Sequence, residues 1–385
     1  MPSRVPRTAP CPRWSLSGAL LALVVLAAAC GATLRAPATG EGPASEAPAA
    51  SAPVAATSPP AAARPAREPV TVNVGFIPSL AYAPLYLAHE KGYYRERGVE
   101  VNLEPGAGSP TAQLGAGQLQ LAGLGFDAAF FNARARGIEL RVILPVSGIK
   151  PGEPSTSPLV VRKELWDNGT VRSVADLKGR KVAQNGTSTG STQYMLSLAL
   201  AKAGLTLNDV ELVQGLNFAD IPQALAQGGI DASALSEPFL TLSLERSIAV
   251  VLSEDHAPGV QANGIAVNGA FARANPEAVV DFAVAYLRGA RDLYGEGRNK
   301  PENLAIIEQY TKVPAATVAR TRHAYADPNG GLYTDSLLAM QQFIFANAPV
   351  ELPEPLPLEE IVDPSYARRA VEILGEFREN SSPGS

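Results

Sequence analysis

The sequence predicts an α/β protein with two lobes, each built on a mainly parallel sheet. Two observations carry this prediction. The order strand–helix–strand–helix–strand–helix–strand occurs between residues 72 and 146 and again between residues 181 and 252. Alternation of this kind gives parallel sheets with helices on both faces. The chain has 385 residues, a length that is sufficient for two domains.

In the first half, short apolar or alternating runs predict strands, and local end signals predict the helices between them. Ser109 is a suitable N-cap, and Pro110 favours the first helical position. Asp127 is a suitable N-cap for a helix that ends at Gly137. The predicted strands are 72–76, 99–103, 119–126 and 140–146, and the helices are 84–92, one that begins at 110, and 127–137.

The second half repeats the pattern, and Gly204 closes its longest predicted helix. The predicted strands are 181–184, 210–213, 230–235 and 248–252, and the helices are 188–203, 219–227 and 239–246. The tail over 276–377 has helical patterns without comparable strands, so we expect it to complete the first lobe. Two such lobes joined by few chain crossings imply a hinge and a cleft. In open α/β sheets a ligand lies beyond the carboxyl ends of the strands.

The N-terminus has the composition of a signal peptide. Arg4, Arg7 and Arg13 precede an uncharged run, 16–29, that ends at Cys30. This run is shorter than the roughly 20 residues needed to span a membrane, which favours a cleaved signal over 1–29. An uncleaved anchor is the alternative. Cleavage removes Cys11, the other cysteine of the chain, and leaves Cys30 without an internal disulfide partner.

Residues 30–69 are rich in Ala, Pro, Ser and Thr and predict a disordered tether. The folded part then divides into a first part of lobe 1 over 70–148, lobe 2 over 149–253, and a completion of lobe 1 with C-terminal helices over 254–380. The formal net charge of −5 and the absence of a clustered basic stretch argue against a nucleic-acid partner.

Several short motifs, in order, resemble one family of periplasmic solute-binding proteins of ABC importers. The matching stretches are 74–78, 82–85, 90–94, 98–101, 175–179 and 236–239. That family binds nitrate, taurine, aliphatic sulfonates and thiamine-pyrimidine precursors. The resemblance implies a type II periplasmic-binding fold and delivery of a small solute to an ABC permease. It also implies a monomer without catalytic residues, cofactor or metal.

The stretch 27–31 resembles a bacterial lipobox, although Ala27 stands where leucine is commoner. This resemblance implies lipidation of the Cys30 thiol. We therefore expect an extracytoplasmic protein that is anchored by lipid to a bacterial membrane.

The candidate ligand-binding residues follow predicted strands, where the cleft is expected. Tyr82 offers a ring for stacking, or it packs on the next helix. Ser109 and Asp127 offer ligand contacts, or they only cap helices. Glu237 offers an acceptor, or it is a carboxylate that the helix dipole favours. The full set is Tyr82, Ser109, Phe126, Asp127, Asn185, Thr187, Ser188, Thr189, Phe218 and Glu237.

The loop over 185–191 is polar and precedes a helix, a combination that suits ligand capture by free N–H groups and hydroxyls. Within it, 186–190 also fits the G-x-S-x-G pattern of a hydrolase with Ser188 as nucleophile. His256 and His323 lie downstream, in the order that such an enzyme requires. A serine hydrolase is therefore an enzyme alternative, and a ligand sensor is another.

The composition of the candidate loops bears on the solute. They contain aromatic residues and two carboxylates but no lysine or arginine. This favours a flat nitrogen heterocycle, such as a pyrimidine precursor of thiamine or riboflavin. A sulfonate, taurine or nitrate is the alternative, because helix N-termini alone can hold anions. The pyrimidine-synthesising relatives carry a cysteine-rich motif, and no cysteine follows Cys30 here.

Overall fold

The computed structural model describes residues 68–106, 109–186, 189–324 and 326–379. All of them fall within one compact unit, Pro60–Ser385. The predicted signal peptide, Cys30 and the tether as far as residue 67 lie outside the described residues, as do Thr187 and Ser188. Within the described part of the chain, no helix has both the length and the apolar character needed to cross a membrane.

The strands of the described residues form two sheets of five strands each. They are β1 Val70–Phe76, β2 Val99–Pro105, β3 Leu121–Gly125, β4 Leu140–Gly148, β5 Leu159–Arg162, β6 Lys181–Asn185, β7 Glu211–Leu216, β8 Ala232–Ala234, β9 Ala249–Ser253 and β10 Gln261–Asn268. Sheet 1 has the order β2-β1-β3-β10-β4, and sheet 2 has the order β7-β6-β8-β5-β9. We call sheet 1 with its helices lobe 1, and sheet 2 with its helices lobe 2.

The helices of the described residues lie between the strands and in the C-terminal part. They are α1 Ala83–Glu90, α2 Tyr93–Glu96, α3 Pro110–Gly115, α4 Ala128–Ala135, α5 Lys163–Asp167, α6 Ser191–Ala201, α7 Ile221–Ala226, α8 Phe239–Glu245, α9 Gly269–Ala274, α10 Pro276–Arg291, α11 Pro301–Thr311, α12 Ala315–Val318, α13 Thr334–Asn347, α14 Leu358–Ile361 and α15 Ser365–Leu374. The C-terminal helices α10, α13, α14 and α15 pack on lobe 1.

Each sheet contains one antiparallel strand that the sequence analysis missed. In sheet 1, β10 runs antiparallel to both β3 and β4, and in sheet 2, β5 runs antiparallel to both β8 and β9. Both strands come directly after the chain crosses from the other sheet. The crossing starts at the carboxyl end of one sheet and reaches the carboxyl end of the other, so the next strand must run against its neighbours.

The register confirms this geometry. Gln261, the first residue of β10, pairs with Gly148, the last residue of β4, and Leu159, the first residue of β5, pairs with Ser253, the last residue of β9. The two crossings are therefore the short segments 149–158 and 254–260. They join the carboxyl ends of the two sheets and form a two-stranded hinge.

The core of lobe 1 depends on α10, which is buried along most of its length between α1 and α15. Phe282 stacks on Tyr94 with ring centroids 4.9 Å apart. The Tyr286 hydroxyl donates to the Pro145 carbonyl oxygen at 2.8 Å. A β-carbon on Gly289 would lie 2.2 Å from the Pro84 carbonyl oxygen, so glycine is what permits α10 to lie this close to α1.

One predicted boundary was wrong for a reason that matters to the site. The helix predicted over 188–203 begins three residues later, as α6 at Ser191. Gly190 is extended, with φ −166°, because its backbone pairs with Asp127 of the other lobe. A contact between lobes therefore sets the start of this helix, and local sequence signals do not report such contacts.

We predict that Asp281→Asn lowers the free energy of unfolding by about 3 kcal/mol, because it leaves a shielded Arg97 guanidinium without its counter-charge. Arg97 Nη2 lies 2.6 Å from Asp281 Oδ1, and the two side chains are 15% and 5% exposed. Urea unfolding measures the loss. The control Glu277→Gln makes the same chemical change on α10 in a more exposed pair with Arg369, and should cost under about 1 kcal/mol. Equal losses would contradict the prediction.

Candidate functional site

The loops that follow β3 and β6 meet across the cleft. The Ala128 N–H donates to the Thr189 carbonyl oxygen at 3.3 Å, and the Ser191 N–H donates to the Phe126 carbonyl oxygen at 3.0 Å. Asp127 and Gly190 face each other as an isolated antiparallel bridge. We call this contact the interlobe bridge. It places the carboxyl ends of the two sheets opposite each other, where a ligand of such a fold would lie.

Asp127 is positioned by α4. Its Oδ1 accepts the Phe130 N–H at 3.1 Å, which makes it the N-cap of that helix. Burial raises the pKa of the carboxyl group, and the N–H groups of Phe130 and Ala129 partly offset that rise. The carboxylate is thus held rigidly beside the bridge and is largely shielded from water.

A polar cluster that sequence reasoning missed lies next to the bridge. Asn263 Nδ2 donates to Ser147 Oγ at 3.0 Å, and Gln261 Nε2 donates to the Ser147 carbonyl oxygen at 3.0 Å. A β-carbon on Gly125 would lie 3.1 Å from Asn263 Oδ1 and 3.6 Å from Ser191 Oγ. The cluster therefore gathers polar atoms from β4, β10 and α6. The signal in the sequence is the polar start of β10, Gln261 and Asn263, ahead of an apolar run.

Glu237, which follows β8, is engaged by two other segments. Its carboxylate accepts the Thr241 N–H and hydroxyl, each at 3.1 Å, and the Arg322 N–H at 3.0 Å. These bonds tie the start of α8 to the chain after α12. Glu237 therefore stabilises the start of α8, which is the alternative to ligand binding given for it above. A contact of Glu237 with the ligand stays a prediction.

Arg322 joins both crossings of the hinge. Its Nη1 donates to the Ser155 carbonyl oxygen at 2.7 Å, and its Nη2 lies 2.8 Å from Glu254 Oε2. Nearby, Arg320 Nε lies 2.8 Å from Glu245 Oε1 of lobe 2. The segment 320–322 of the C-terminal part therefore holds lobe 2 and the hinge together through charge-assisted bonds.

Basic side chains also surround a small cavity beside the loop that follows β1. The cavity has a volume of about 30 Å³ and is lined by Leu80, Ala83, Arg298, Thr321 and His323, among others. Burial lowers the pKa of Arg298. Burial, followed by the Arg298 charge, lowers the pKa of His323 to about 4. Arg298, Thr321 and His323 come from the C-terminal part of the chain and follow no strand, so the position of strand ends in the sequence gives no signal for them.

Two of the predicted aromatic residues lie in the core of lobe 1. Tyr82 is 5% exposed and Phe126 is 2% exposed. The Tyr82 ring lies 5.7 Å from the Phe76 ring and covers Gly123, where a β-carbon would lie 2.1 Å from the tyrosine ring. Burial raises the pKa of the Tyr82 hydroxyl. Ile77, the residue that follows β1, is an apolar side chain that is exposed instead, with 59% of its surface accessible.

The other predicted residues lie at the ends of several different strands. Ser109 is exposed and caps α3 by accepting the Ala112 N–H at 3.4 Å. Asn185 ends β6. Phe218 packs, partly buried, on a lobe 2 cluster. The structure brings Phe126, Asp127 and Thr189 together at the bridge, and a ligand-binding role for each candidate stays a prediction.

His256, one of the two histidines of the hydrolase alternative, lies in the hinge. His256 is 5% exposed, and its Nδ1 lies 3.3 Å from Ser253 Oγ. It lines a cavity of about 630 Å³ together with Tyr194 and Leu198 of α6 and with residues 332–336 of lobe 1. Ser188 lies outside the described residues, so the nucleophile of that alternative has no described geometry.

The chain is similar to proteins of one family. The family described as NMT1/THI5 like matches residues 80–299, more than half of the chain. The riboflavin-binding protein RibY of Chloroflexus aurantiacus is 29% identical over 236 residues, 60% of this chain and 63% of RibY. The 4-amino-5-hydroxymethyl-2-methylpyrimidine phosphate synthase of Aspergillus parasiticus is 29% identical over 224 residues, 54% of this chain and 61% of the enzyme. The chain therefore spans less than two thirds of the length of either relative.

A solved structure shares the fold. The alkanesulfonate-binding protein SsuA of Xanthomonas axonopodis pv. citri, bound to MOPS, aligns with a TM-score of 0.59 and 23% identity over 74% of this chain and 97% of SsuA. The likeness confirms the predicted fold class, with two α/β lobes of mixed sheets. The family resemblance in the sequence is confirmed as well.

We predict that His256 makes stability pH-dependent. Burial, followed by the Lys202 charge, lowers its pKa from 6.5 to about 4. As the pH falls, the unfolded chain takes up the proton first, so stability that is present above pH 6.5 is lost towards pH 4. The loss from this residue is on the order of 3 kcal/mol.

Urea unfolding across that pH range checks this prediction. His256→Gln should flatten the profile relative to the native chain. Identical profiles for His256→Gln and the native chain would refute the assignment.

Proposed function

The chain belongs to the NMT1/THI5-like family, and on that premise we propose that it is the solute-binding component of an ABC importer. It captures a small molecule between the lobes and delivers it to a permease in the membrane. The observation that carries this proposal is the interlobe bridge, because it brings the loops after β3 and β6 together at the carboxyl ends of the two sheets, where the ligand of an open α/β sheet lies. A solute held there contacts both lobes, and such a ligand drives hinge closure.

The preferred solute is a flat nitrogen heterocycle such as riboflavin or an aminopyrimidine. The described loops after β3, β6, β7 and β8 offer the carboxylates of Asp127, Asp220 and Glu237 and no basic side chain. Carboxylates accept bonds from ring N–H and amino groups. Phe218 and the exposed Ile77 supply apolar surface. The name of RibY points to the same ligand class.

A sulfonate, taurine or nitrate is the second candidate. The observation that favours it is the half-buried Arg298 beside the loop after β1. An arginine with reduced access to water binds oxyanions well. Two facts count against it. The Arg298 guanidinium already donates to the Thr321 carbonyl oxygen, and the cavity of about 30 Å³ is too small for a sulfonate without rearrangement.

The membrane attachment is part of the proposal. Lipidation of Cys30 would hold the folded part at the membrane surface through the tether, and this raises its effective concentration near the permease. A lone thiol between an apolar run and a polar tether suits this role.

We expect Cys30→Ser to release the chain from membranes, because the thiol that carries the acyl chains is gone. Fractionation of cells that express each variant, followed by immunoblotting, measures the change. Cys11→Ser is the matched control and should stay with the membrane fraction. Membrane retention of the Cys30 variant would show that the anchor is of another kind.

A thermal-shift screen tests the solute. We expect riboflavin or an aminopyrimidine to raise the melting temperature, since a ligand at 100 times its Kd adds about 2.7 kcal/mol to stability. Taurine, alkanesulfonates and nitrate form the second arm. A shift with that arm alone contradicts the heterocycle assignment. If neither arm raises the melting temperature, the protein binds neither class of solute.

A matched variant sharpens the result. Asp127→Asn keeps a good N-cap for α4 but removes the acceptor charge, so binding of the heterocycle should weaken about tenfold or more. Binding of an anion should be unchanged or tighter. Asp209→Asn, the same change in the turn that precedes β7, at the end of sheet 2 away from the bridge, is the control and should alter neither.

A further inference from the structure

Gly190 stands where α6 begins, and its own backbone conformation does not require glycine. Its φ of −166° is an extended value that any residue adopts. The requirement comes from the opposite lobe. A β-carbon on Gly190 would lie 2.5 Å from the Phe126 carbonyl oxygen and 2.9 Å from the Asp127 β-carbon. A side chain here is therefore compatible with lobe 2 alone and incompatible with the contact between the lobes.

The two bonds of the bridge use donors that helices leave free. Ala128 is the first residue of α4 and Ser191 is the first residue of α6, so neither N–H has a partner inside its own helix. Each donates to a carbonyl oxygen of the other lobe, at Thr189 and at Phe126. The first N–H of each helix is thus satisfied by a carbonyl oxygen in a loop of the other lobe. When the lobes separate, water can take both places.

We propose that Gly190 is a positioning residue for solute capture, because it permits the interlobe bridge, one of the contacts that hold the closed lobes together. The inference rests on the proposed solute-binding function, and it adds the device by which closure is stabilised. The bridge also fixes Asp127 and Thr189 beside each other at the cleft. Loss of the bridge should shift the chain towards separated lobes and weaken solute binding about 10- to 100-fold.

Two variants break the bridge in different ways. Gly190→Ala introduces the clash with Phe126. Ala128→Pro removes one donor, and it suits its position, since proline is favoured at the first helical residue and Asp127 has the extended conformation that precedes proline, with φ −149° and ψ 177°. The control is Gly229→Ala in lobe 2, where the nearest atom to the new β-carbon is 3.5 Å away.

Lobe separation can be measured without any solute. Spin labels at Gln118→Cys and Gln227→Cys, in a full chain that carries Cys11→Ser and Cys30→Ser, report the distance between exposed sites near the amino ends of β3 and β8. We expect a longer mean distance for Gly190→Ala and Ala128→Pro, and an unchanged one for Gly229→Ala. Hydrogen exchange at the Ser191 amide should be faster in the first two variants alone.

The measurements test the role of Gly190 separately from the choice of solute. Unchanged distance and unchanged Ser191 exchange in both bridge variants would overturn the inference, as would an equal change in Gly229→Ala. Affinity for riboflavin and for taurine is measured on the same proteins. If neither binds the native chain, the solute proposal fails, while the spin-label distances still decide the role of Gly190. Circular dichroism of each variant confirms that a change in distance does not come from unfolding.

Discussion

The constraint on which the rest of the structure depends is that both crossings join the carboxyl ends of the two sheets. Because the segments 149–158 and 254–260 start and finish there, the strand after each crossing must enter its sheet from the carboxyl end. This accounts for β5 and β10 as the antiparallel members of otherwise parallel sheets. It also brings the strand-end loops of both lobes to one place, so the geometry of the hinge and the location of the site have one origin.

The sequence predicted the elements whose signals are local. The N-caps Ser109 and Asp127 carry the side-chain bonds expected of them. The sequence missed features that depend on the other lobe or on the tail. The helix α6 begins three residues after its predicted start because Gly190 pairs with Asp127. The strand β10 follows β9 without a helix between them, so the strand–helix alternation does not predict it. Burial of Tyr82 and Phe126 could not be predicted from loop position, because residues at strand ends turn either to the cleft or under the sheet.

Charge is distributed unevenly between the segments that approach the site. The described loops after β3, β7 and β8 supply carboxylates, and the C-terminal part supplies guanidinium groups. Arg320 pairs with Glu245, and Arg322 pairs with Glu254. The tail therefore neutralises lobe 2 near the hinge while it packs on lobe 1. The strand-end loops alone therefore predict an acidic site. The guanidinium groups of Arg320 and Arg322 come from a part of the sequence that is distant from those loops.

The proposed solute-binding function requires contacts between the lobes that are specific but individually weak. The interlobe bridge meets this requirement. Its bonds join neutral backbone groups that water solvates equally well when the lobes part, so each contributes only about 0.5–1.5 kcal/mol net. A side chain at Gly190 would remove that contribution by a clash, whereas a buried ion pair in the same place would resist opening by several kcal/mol. Backbone pairing through a glycine thus makes this contact depend on exact approach of the lobes.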